Sequence, residues 1–564
     1  MKKILVMLFC IPFFIGCAKL DLNPLSEGST ENWFSDEVEL TLALNDLYRE
    51  YVWSQETNLE TERMTDNWTQ RQAVNAYAAG TVSSDFATSA AIWQNTYKGI
   101  ARANKVLNNM YRAEGNVSAI KMEQLAAEAH FFRAAFYSRL IFHYGDVPYY
   151  TNDLTIEEAF QLHRTDKATI LKEIYKDFDL AINSLPISYG SNDVKRITKG
   201  AAYAFKARIA LYMQDYVVAR DAAKACMDLK AYTLHADFGN YFLSSTKNST
   251  ETIFAVPRSA QLGSTWATTN FFPRTAGGSA VAQPSWELLC SFTCTDGLPI
   301  DRSPLYDPHR PFANRDPRCA QTIVEFGTEF LGFVYDPNPY VTTVLNVSTG
   351  KQVANKDNRA VDQFGSYNGL TLKKGVDLDW SNDLQSDFDI IIMRYADVLM
   401  MYAEAKMELN EIDDDALKAI NTVRARAYRT SVDAVSTYPA ITTKDQTALR
   451  TIVRNERRME FAWENRRYDD IIRWKIAGKS LTKPIYGMLD VADLKKKVVD
   501  RGLWFFPGTP SIDADGLPDF TAMYNAGLIK LLVKRAFDPD KQYLWPIPSA
   551  EIRNNPGLGQ NHGY

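Results

Sequence analysis

Apolar residues recur at helical spacing over long parts of the chain. Between residues 118 and 148, apolar side chains follow one another at spacings of four, three, four and four from Leu125 to Leu140. This stripe predicts one long amphipathic helix. Gly145 and Pro148 predict its end.

Two further stretches each predict a pair of helices joined by a short turn. Residues 199–232 carry two apolar stripes separated by Gln214 and Asp215, and the same design returns between Tyr395 and Tyr428, a span of 34 residues. Helices joined this tightly pack antiparallel, and small residues at the crossing let the backbones approach. The length and the small residues resemble tetratricopeptide repeats.

The predicted fold is therefore mostly α, with a tetratricopeptide-like α-solenoid of about four helix pairs. Residues 236–389 differ, because they are rich in Gly, Pro, Asn, Ser and Thr and contain only short β-prone runs. We expect a loop-rich lobe with short strands there. The predicted division is a signal peptide at 1–16, a lipidated linker at 17–35, a helical part at 36–235, a ligand-binding lobe at 236–389, returning helices at 390–480, and an irregular part packed on the lobe at 481–564. Within the helical part, further helices are predicted near 36–53, 87–112 and 166–185.

The N-terminal apolar run is too short to stay in a membrane. It extends over 13 residues without a charge, from Ile4 to Gly16, after Lys2 and Lys3, whereas a spanning helix needs roughly 20. This is the layout of an export signal. Cys17, directly after the small Gly16, resembles the lipobox cysteine of bacterial lipoproteins and predicts acylation and a membrane anchor. An ordinary secretory signal and an uncleaved anchor are the alternatives.

Charge and cysteine content argue against two classes of protein, the nucleic-acid-binding and the disulfide-rich. The formal net charge is −5, which disfavours a nucleic-acid partner because phosphates require a basic surface. Beyond the N-terminal region, Cys226, Cys290, Cys294 and Cys319 are too few for a disulfide framework. Cys290 could bridge Cys294 or Cys319, or all four could be buried thiols.

The sequence gives little support for catalysis. Its six histidines form no zinc-binding spacing, and no nucleophile-elbow motif is present. Glu456, Glu460 and Glu464 share a predicted helix face, and paired carboxylates are used in glycoside hydrolysis. A partly buried carboxylate needs a cationic partner. We therefore interpret this segment as a structural ion-pair network between these carboxylates and nearby arginines. A partner-binding surface and an active site are the alternatives. The arginines are Arg454, Arg457, Arg458, Arg466, Arg467 and Arg473.

Several of the eleven tryptophans are candidate ligand contacts. Trp68, Trp266 and Trp380 lie in polar, loop-like surroundings, and an indole packs well on the apolar face of a sugar. Trp286 is a fourth candidate, near the start of a predicted helix. Polar companions of Trp68 that can bind hydroxyl groups are Asp66, Asn67 and Arg71. We assign Trp93 and Trp463 to helical core stripes.

Eight stretches in collinear order resemble the SusD/RagB family of nutrient-uptake lipoproteins. They are the lipobox with "LDLNPLSEGS", "IWQNTYKGIARANKVL", "AEAHFFRAAFYSRLIFHYGDVPYY", "RITKGAAYAFKARIALYMQDY", "NRDPRCAQTI", "IIMRYADVLMMYAEAKMELN", "RNERRMEFAWENRRYDDIIRW" and "YLWPIPSAEIRNNPGLGQNHGY". The resemblance covers nearly the whole chain.

The resemblance implies a non-enzymatic lipoprotein of the outer membrane that faces the cell exterior. It implies capture of oligosaccharide or polysaccharide for a SusC-like TonB-dependent transporter, without a cofactor. Ligand residues lie in the family's variable loops, so the tryptophan candidates rest on their own surroundings. A structural calcium ion is permitted by acidic loops such as that of Asp377 and Asp379. The rival hypotheses are a peptide-binding or protein-binding repeat lipoprotein and a surface glycosidase.

Overall fold

The computed structural model of the chain describes residues 33–57, 59–190, 193, 195–380 and 383–564. Long helices form the scaffold of this part. Those of nine or more residues are α1 (Glu37–Asn45), α2 (Ala87–Asn109), α3 (Ala119–Tyr144), α4 (Lys167–Ser184), α5 (Lys199–Tyr212), α6 (Tyr216–Asp228), α7 (Tyr395–Glu408), α8 (Asp414–Ala427) and α9 (Gln446–Glu460). Shorter α-helices are Ser54–Thr57, Ile156–Ala159, Phe238–Tyr241, Trp286–Ser291, Arg318–Thr322, Arg467–Arg473, Ala477–Ser480, Val491–Leu494, Thr521–Asn525 and Ser549–Asn554.

Local sequence signals set the ends of these helices. Ser118 accepts a hydrogen bond from the Lys121 amide at the start of α3, and Gly145, at φ 76°, ends that helix. Gln214, at φ 65°, makes the turn between α5 and α6. The helix predicted near residues 36–53 ends at Asn45 and continues as 3₁₀ turns.

The helices pack in chain order into one stack. α2 packs on α3, α3 on α4, α4 on α5 and α5 on α6; α7 then packs on α6, and α8 and α9 pack on α7. Both predicted helix pairs, α5 with α6 and α7 with α8, are therefore neighbours. The predicted mostly α, tetratricopeptide-like scaffold is confirmed. Within the described residues, no helix is long and apolar enough to cross a membrane.

Short antiparallel strands form the loop-rich lobe and tie it to the scaffold. One four-stranded sheet contains Thr328–Phe330, Phe333–Tyr335, Thr343–Asn346 and Lys351–Ala354. The two-stranded pairs are Trp68–Thr69 with Gln283–Pro284, Val147–Pro148 with Arg164–Thr165, Thr252–Val256 with Ile390–Arg394, Trp266–Ala267 with Gln385–Ser386, Ile485–Gly487 with Lys530–Val533, and Ser511–Ile512 with Pro518–Asp519.

Two large hydrophobic cores hold the described part of the molecule together, beside a small cluster of Phe238, Tyr241 and Phe242. The first lies among the helices, and the second lies in the lobe around Trp286 and Phe506. The C-terminal part contributes to both cores, since Phe506 lies in the second and Trp545 in the first. Trp545 is fully buried, and its Nε1 donates a hydrogen bond to Tyr468 Oη at 2.7 Å. The last residues therefore pack on the helical scaffold as well as on the lobe.

The predicted ion-pair network at the end of α9 is present, but its partners come from elsewhere in the chain. Glu456 contacts Arg318 Nη2 at 2.6 Å and Arg424 Nη2 at 2.6 Å. Glu460 contacts Arg318, Arg394 and Arg426. Burial raises the pKa of Glu460, but these three guanidinium groups hold it well below its usual value.

The nearby arginines that were predicted as partners bind other carboxylates. Arg457 contacts Asp397 and Asp470, and Arg473 contacts Glu404 and Asp470. Helix α9 ends at Glu460, so Glu464 lies beyond the predicted helix face.

The four cysteines of the described region are buried free thiols. Burial raises the pKa of Cys226, Cys290 and Cys319 to about 12. The structure therefore favours the buried-thiol alternative over a disulfide of Cys290.

Candidate functional site

A cavity of about 270 Å³ lies where the lobe meets the helical scaffold. The strand pair Thr252–Val256 and Ile390–Arg394 contributes to its lining, as do residues 187–189 from the loop after α4. Among the aromatic side chains of the lining, Trp266, Phe271 and Phe388 come from the lobe, and Trp463 comes from the turn after α9. Apolar ring faces beside polar groups are typical of a small-molecule pocket.

Trp266 is a partly exposed ring of this aromatic wall, as is Phe388. Its centroid lies 4.7 Å from that of Phe271, at an interplanar angle of 41°, and 5.7 Å from that of Phe388. The backbone of Trp266 pairs with Ser386 in a short ladder, which fixes its place on the loop. The flanking rings already hold the indole in place. Stacking on the apolar face of a sugar therefore adds little entropic cost of ordering this side chain.

Arg258 supports Trp266 from within the protein. The guanidinium carbon of Arg258 lies 5.7 Å from the Trp266 ring centroid, a favourable cation–π distance. Its Nη2 is paired with Glu50, a residue of the 3₁₀ turn Glu50–Trp53. The lobe loop that carries Trp266 is therefore tied to the helical scaffold.

Trp463 lies in a strained turn, and its assignment to a helical stripe is wrong. Its φ is 62°, and that of Asn465 is 57°, which is uncommon for a bulky side chain. Buried Glu62 accepts hydrogen bonds from the amides of Trp463, at 3.3 Å, and Asn465, at 3.1 Å. Burial raises the pKa of Glu62 to about 7. This carboxyl group holds a turn whose side chains line the cavity.

Polar groups complete the lining. Lys195 and Lys247 are each about 30% exposed in their side chains, and Asp389 lies beside them. Lys374 donates to the carbonyls of Glu460, at 3.1 Å, and Ala462, at 2.9 Å. Burial lowers the pKa of Lys374 to about 8. Its bonds within the protein make it a structural support of the cavity wall.

Trp68 and its companions Asp66 and Asn67 are buried. The prediction that Trp68 is an exposed platform for a sugar is therefore wrong. Trp68 is 6% exposed and stacks on Trp463. Asp66 is paired with Arg467 Nε at 2.7 Å and Arg458 Nη2 at 3.1 Å. Burial raises the pKa of Asp66, but these arginines hold it well below its usual value.

Asn67 is also fully buried, and its amide donates to Glu62 Oε1 at 3.1 Å. Its Oδ1 accepts from Arg458 Nε at 3.0 Å. Asp66, Asn67 and Trp68 are thus a packed support behind the cavity wall, and no face of Trp68 is open to a sugar.

The other predicted residues also lie away from the cavity lining or outside the description. Trp286 is 2% exposed, and its Nε1 donates to the Asn368 carbonyl at 2.7 Å, so its predicted exposure is wrong. Arg71 Nη2 donates to the Ser279 carbonyl at 2.5 Å, and its guanidinium lies over the Phe364 ring. Trp380 ends the 3₁₀ turn Leu378–Trp380, and its side chain and Cys17 lie outside the described residues.

Sequence reasoning missed most of the cavity lining. Phe271 lies five residues after Trp266, and this proximity in the sequence could have indicated that both rings lie at the same site. Phe388 and Asp389 reach the cavity through the pairing of Gln385–Ser386 with Trp266–Ala267. That pairing connects residues far apart in the chain, so no local pattern indicated it.

The acidic loop considered for calcium is engaged in hydrogen bonds. Ser244 Oγ donates to Asp377 Oδ2 at 2.9 Å and to Asp379 Oδ2 at 2.6 Å. Calcium takes six to eight oxygen ligands. Among the described side chains, no group of three or more His, Cys, Asp or Glu residues converges as a metal site.

Comparison with known proteins agrees with this architecture. A family model described as the SusD family matches residues 250–564, and one described as starch-binding associating with outer membrane matches residues 20–211. SusD-like protein P25 of Formosa agariphila is 27% identical over 407 residues, which are 68% of this chain and 70% of that protein. SusD-like protein P2 of the same organism is 24% identical over 498 residues, 82% of this chain and 89% of that protein.

A solved structure gives the same result over more of the chain. The crystal structure of a SusD-like carbohydrate binding protein from Bacteroides fragilis is 28% identical, with a TM-score of 0.76. The match covers 93% of this chain and 99% of that one. The family model that matches residues 250–564 spans more than half of the 564 residues. The chain therefore belongs to the SusD family.

Proposed function

We propose that the protein captures oligosaccharide or polysaccharide at the cell surface and does not cleave it. The observation that carries this proposal is the cavity wall of Trp266, Phe271, Phe388 and Trp463 between the lobe and the scaffold. A held, partly exposed indole stacks on a sugar ring, and the polar groups beside it bind hydroxyls. The Bacteroides fragilis relative with 28% identity is named a carbohydrate binding protein, which supports the same ligand class here.

Two of the three acidic residues that suggested hydrolysis, Glu456 and Glu460, are unsuited to it, and the third, Glu464, is held by Lys374 and Arg394. Glu456 and Glu460 are each 0% exposed and bound to arginines. A glycosidase carboxyl must reach the glycosidic bond, and these carboxylates meet only the protein interior. This arrangement supports a binding protein without enzymatic activity.

Native affinity electrophoresis tests capture and cleavage together. The chain from residue 18 is run through gels that contain a panel of polysaccharides, and the same polysaccharides are assayed for released sugar. We expect retardation by at least one glycan and no release. Normal migration in every gel would overturn the proposal and favour the peptide-binding or protein-binding alternative. Sugar release would establish an enzyme.

We further propose that acylated Cys17 anchors the protein in the outer membrane and that it delivers its ligand to a SusC-like TonB-dependent transporter. The family description that names association with the outer membrane supports the location. Mass spectrometry should find lipid on Cys17, and Cys17→Ala should release the protein from the membrane fraction. Cross-linking in membranes should join the wild-type chain to such a transporter. Absence of the lipid or of the cross-link would overturn the corresponding part.

A further inference from the structure

The charged side chains that line the cavity are neutralised within the protein. Seven of the described lining residues carry a charge: Glu56, Lys195, Arg196, Lys247, Lys374, Asp389 and Glu464. Each of them makes an ion pair with another residue of the chain. The lining therefore offers a ligand hydrogen-bonding groups but no charge without a partner.

The cations nearest to solvent show this most clearly. Lys195 Nζ is paired with Asp389 Oδ2. Lys247 Nζ lies 3.4 Å from Asp387 Oδ2 and 4.0 Å from Asp389 Oδ1. An anionic ligand would have to displace these carboxylates and would leave them beside its own negative charge, which is unfavourable.

The other charged groups of the lining face inwards to their partners. Arg196 Nη1 contacts Glu128 Oε1 at 2.7 Å, and Glu56 Oε2 lies 3.0 Å from Arg139 Nη2. Lys374 is held by Glu464 and by two carbonyls. None of these cations is available to a ligand without breaking a contact that the fold uses.

The internal residues that the structure does not describe carry no charge. The residues at those positions are all uncharged: Asn58, Ser191, Asn192, Val194, Ser381 and Asn382.

We propose that the ligand of this cavity is an uncharged oligosaccharide and that uronate-containing and sulfated glycans are rejected. This inference rests on the proposed glycan-binding function and names its ligand class. Recognition then depends on ring stacking and on hydrogen bonds to hydroxyl groups, both of which are insensitive to salt. Binding of a polyanion, by contrast, weakens as ionic strength rises.

The test compares neutral and acidic glycans on the chain from residue 18. Neutral glucan, galactan and mannan oligosaccharides and oligogalacturonate and alginate oligosaccharides are titrated in low and high salt by calorimetry. We expect binding of a neutral member with a dissociation constant that changes less than twofold with salt. Tighter, salt-sensitive binding of an acidic glycan that Trp266→Ala abolishes would overturn the inference but keep the glycan-binding function. Binding of neither class would overturn both.

A charge-neutralising variant provides a second test. Asp389→Asn keeps the acceptor for the Arg258 amide but removes the carboxylate partner of Lys195. We expect this variant to gain at least tenfold in affinity for an acidic oligosaccharide. Asp383→Asn is the matched control, because it removes the same charge from an exposed residue outside the lining. An equal gain in both variants, or no gain in Asp389→Asn, would contradict the pairing argument.

Discussion

The indole of Trp68 stacks on the indole of Trp463, with ring centroids 4.5 Å apart and an interplanar angle of 25°. Trp463 lines the cavity, and Trp68 lies buried behind it. The position of the cavity wall therefore depends on a ring that no ligand reaches. Trp68 also packs edge-on against Phe271, at 6.1 Å between centroids, so the same buried ring supports two members of the wall.

Trp68→Ala should destabilise the fold. Removal of a buried aromatic side chain costs about 3–5 kcal/mol, because the transfer free energy is lost and a cavity remains. The free energy of unfolding of the wild type and the variant, measured in urea, checks this expectation. Trp68→Phe, which keeps a ring against Trp463, should lose clearly less. An unfolding midpoint equal to that of the wild type in Trp68→Ala would contradict the burial described above.

Trp266→Ala should weaken glycan binding and leave the fold intact. Loss of a stacking ring at an interface hot spot costs roughly 1–3 kcal/mol of binding free energy. Calorimetric titration with the glycan that retards the wild type gives the affinity, and circular dichroism checks the fold. Leu262→Ala is the control, because Leu262 is 83% exposed on the same loop and outside the cavity lining. Equal affinity of Trp266→Ala and the wild type would remove Trp266 from the site.

Glu456→Gln should destabilise the protein strongly. The substitution leaves Arg318 and Arg424 with less compensation in a fully buried place. Breaking a buried ion pair by removal of one partner costs about 3–5 kcal/mol. Urea unfolding measures the loss.

The control for this prediction is Glu411→Gln, whose exposed pair with Arg220 should contribute no more than about 1 kcal/mol. Similar losses in the two variants would show that the Glu456 network is not the buried support that we describe.

Glu62 should make stability depend on pH. Its pKa is raised from 4.5 to about 7 in the folded protein, so between these values the folded state binds more protons than the unfolded state. The contribution of Glu62 to stability is therefore fully present below about pH 4.5 and falls as the pH rises to about 7.

The difference in unfolding free energy between the wild type and Glu62→Gln isolates this contribution. It should fall by about 3 kcal/mol across that pH interval, since one pKa unit corresponds to about 1.36 kcal/mol. A difference that stays constant from pH 4 to pH 8 would show that Glu62 titrates normally. Unfolding curves in urea at closely spaced pH values provide the measurement.

Periodicity predicted the scaffold well because helix faces are encoded locally. Helix α3, its end at Gly145, and the turn between α5 and α6 all follow from neighbouring residues. The site was predicted less well because its support is not local. Asp66 is paired with Arg467, which lies 401 residues away in the chain. The segment around Trp68, whose sequence is typical of a polar loop, is therefore buried.

The charge network at the end of α9 shows the same limit. Residue types predicted that its carboxylates would be paired, but Arg318 lies 138 residues from Glu456 in the chain. Trp266 could be named as a candidate ligand contact from the sequence, because the residues around it in the chain are polar and loop-like. Phe388 could not, because only the pairing of Gln385–Ser386 with Trp266–Ala267 brings it to the cavity.

The decisive measurement is a crystal structure of the chain from residue 18 with the oligosaccharide that retards it in the gel. We expect electron density for an uncharged sugar ring stacked on Trp266, with hydroxyl groups in contact with polar groups of the cavity and the glycosidic bonds intact. A sugar bound elsewhere on the molecule, with the Trp266 face uncovered, would contradict it.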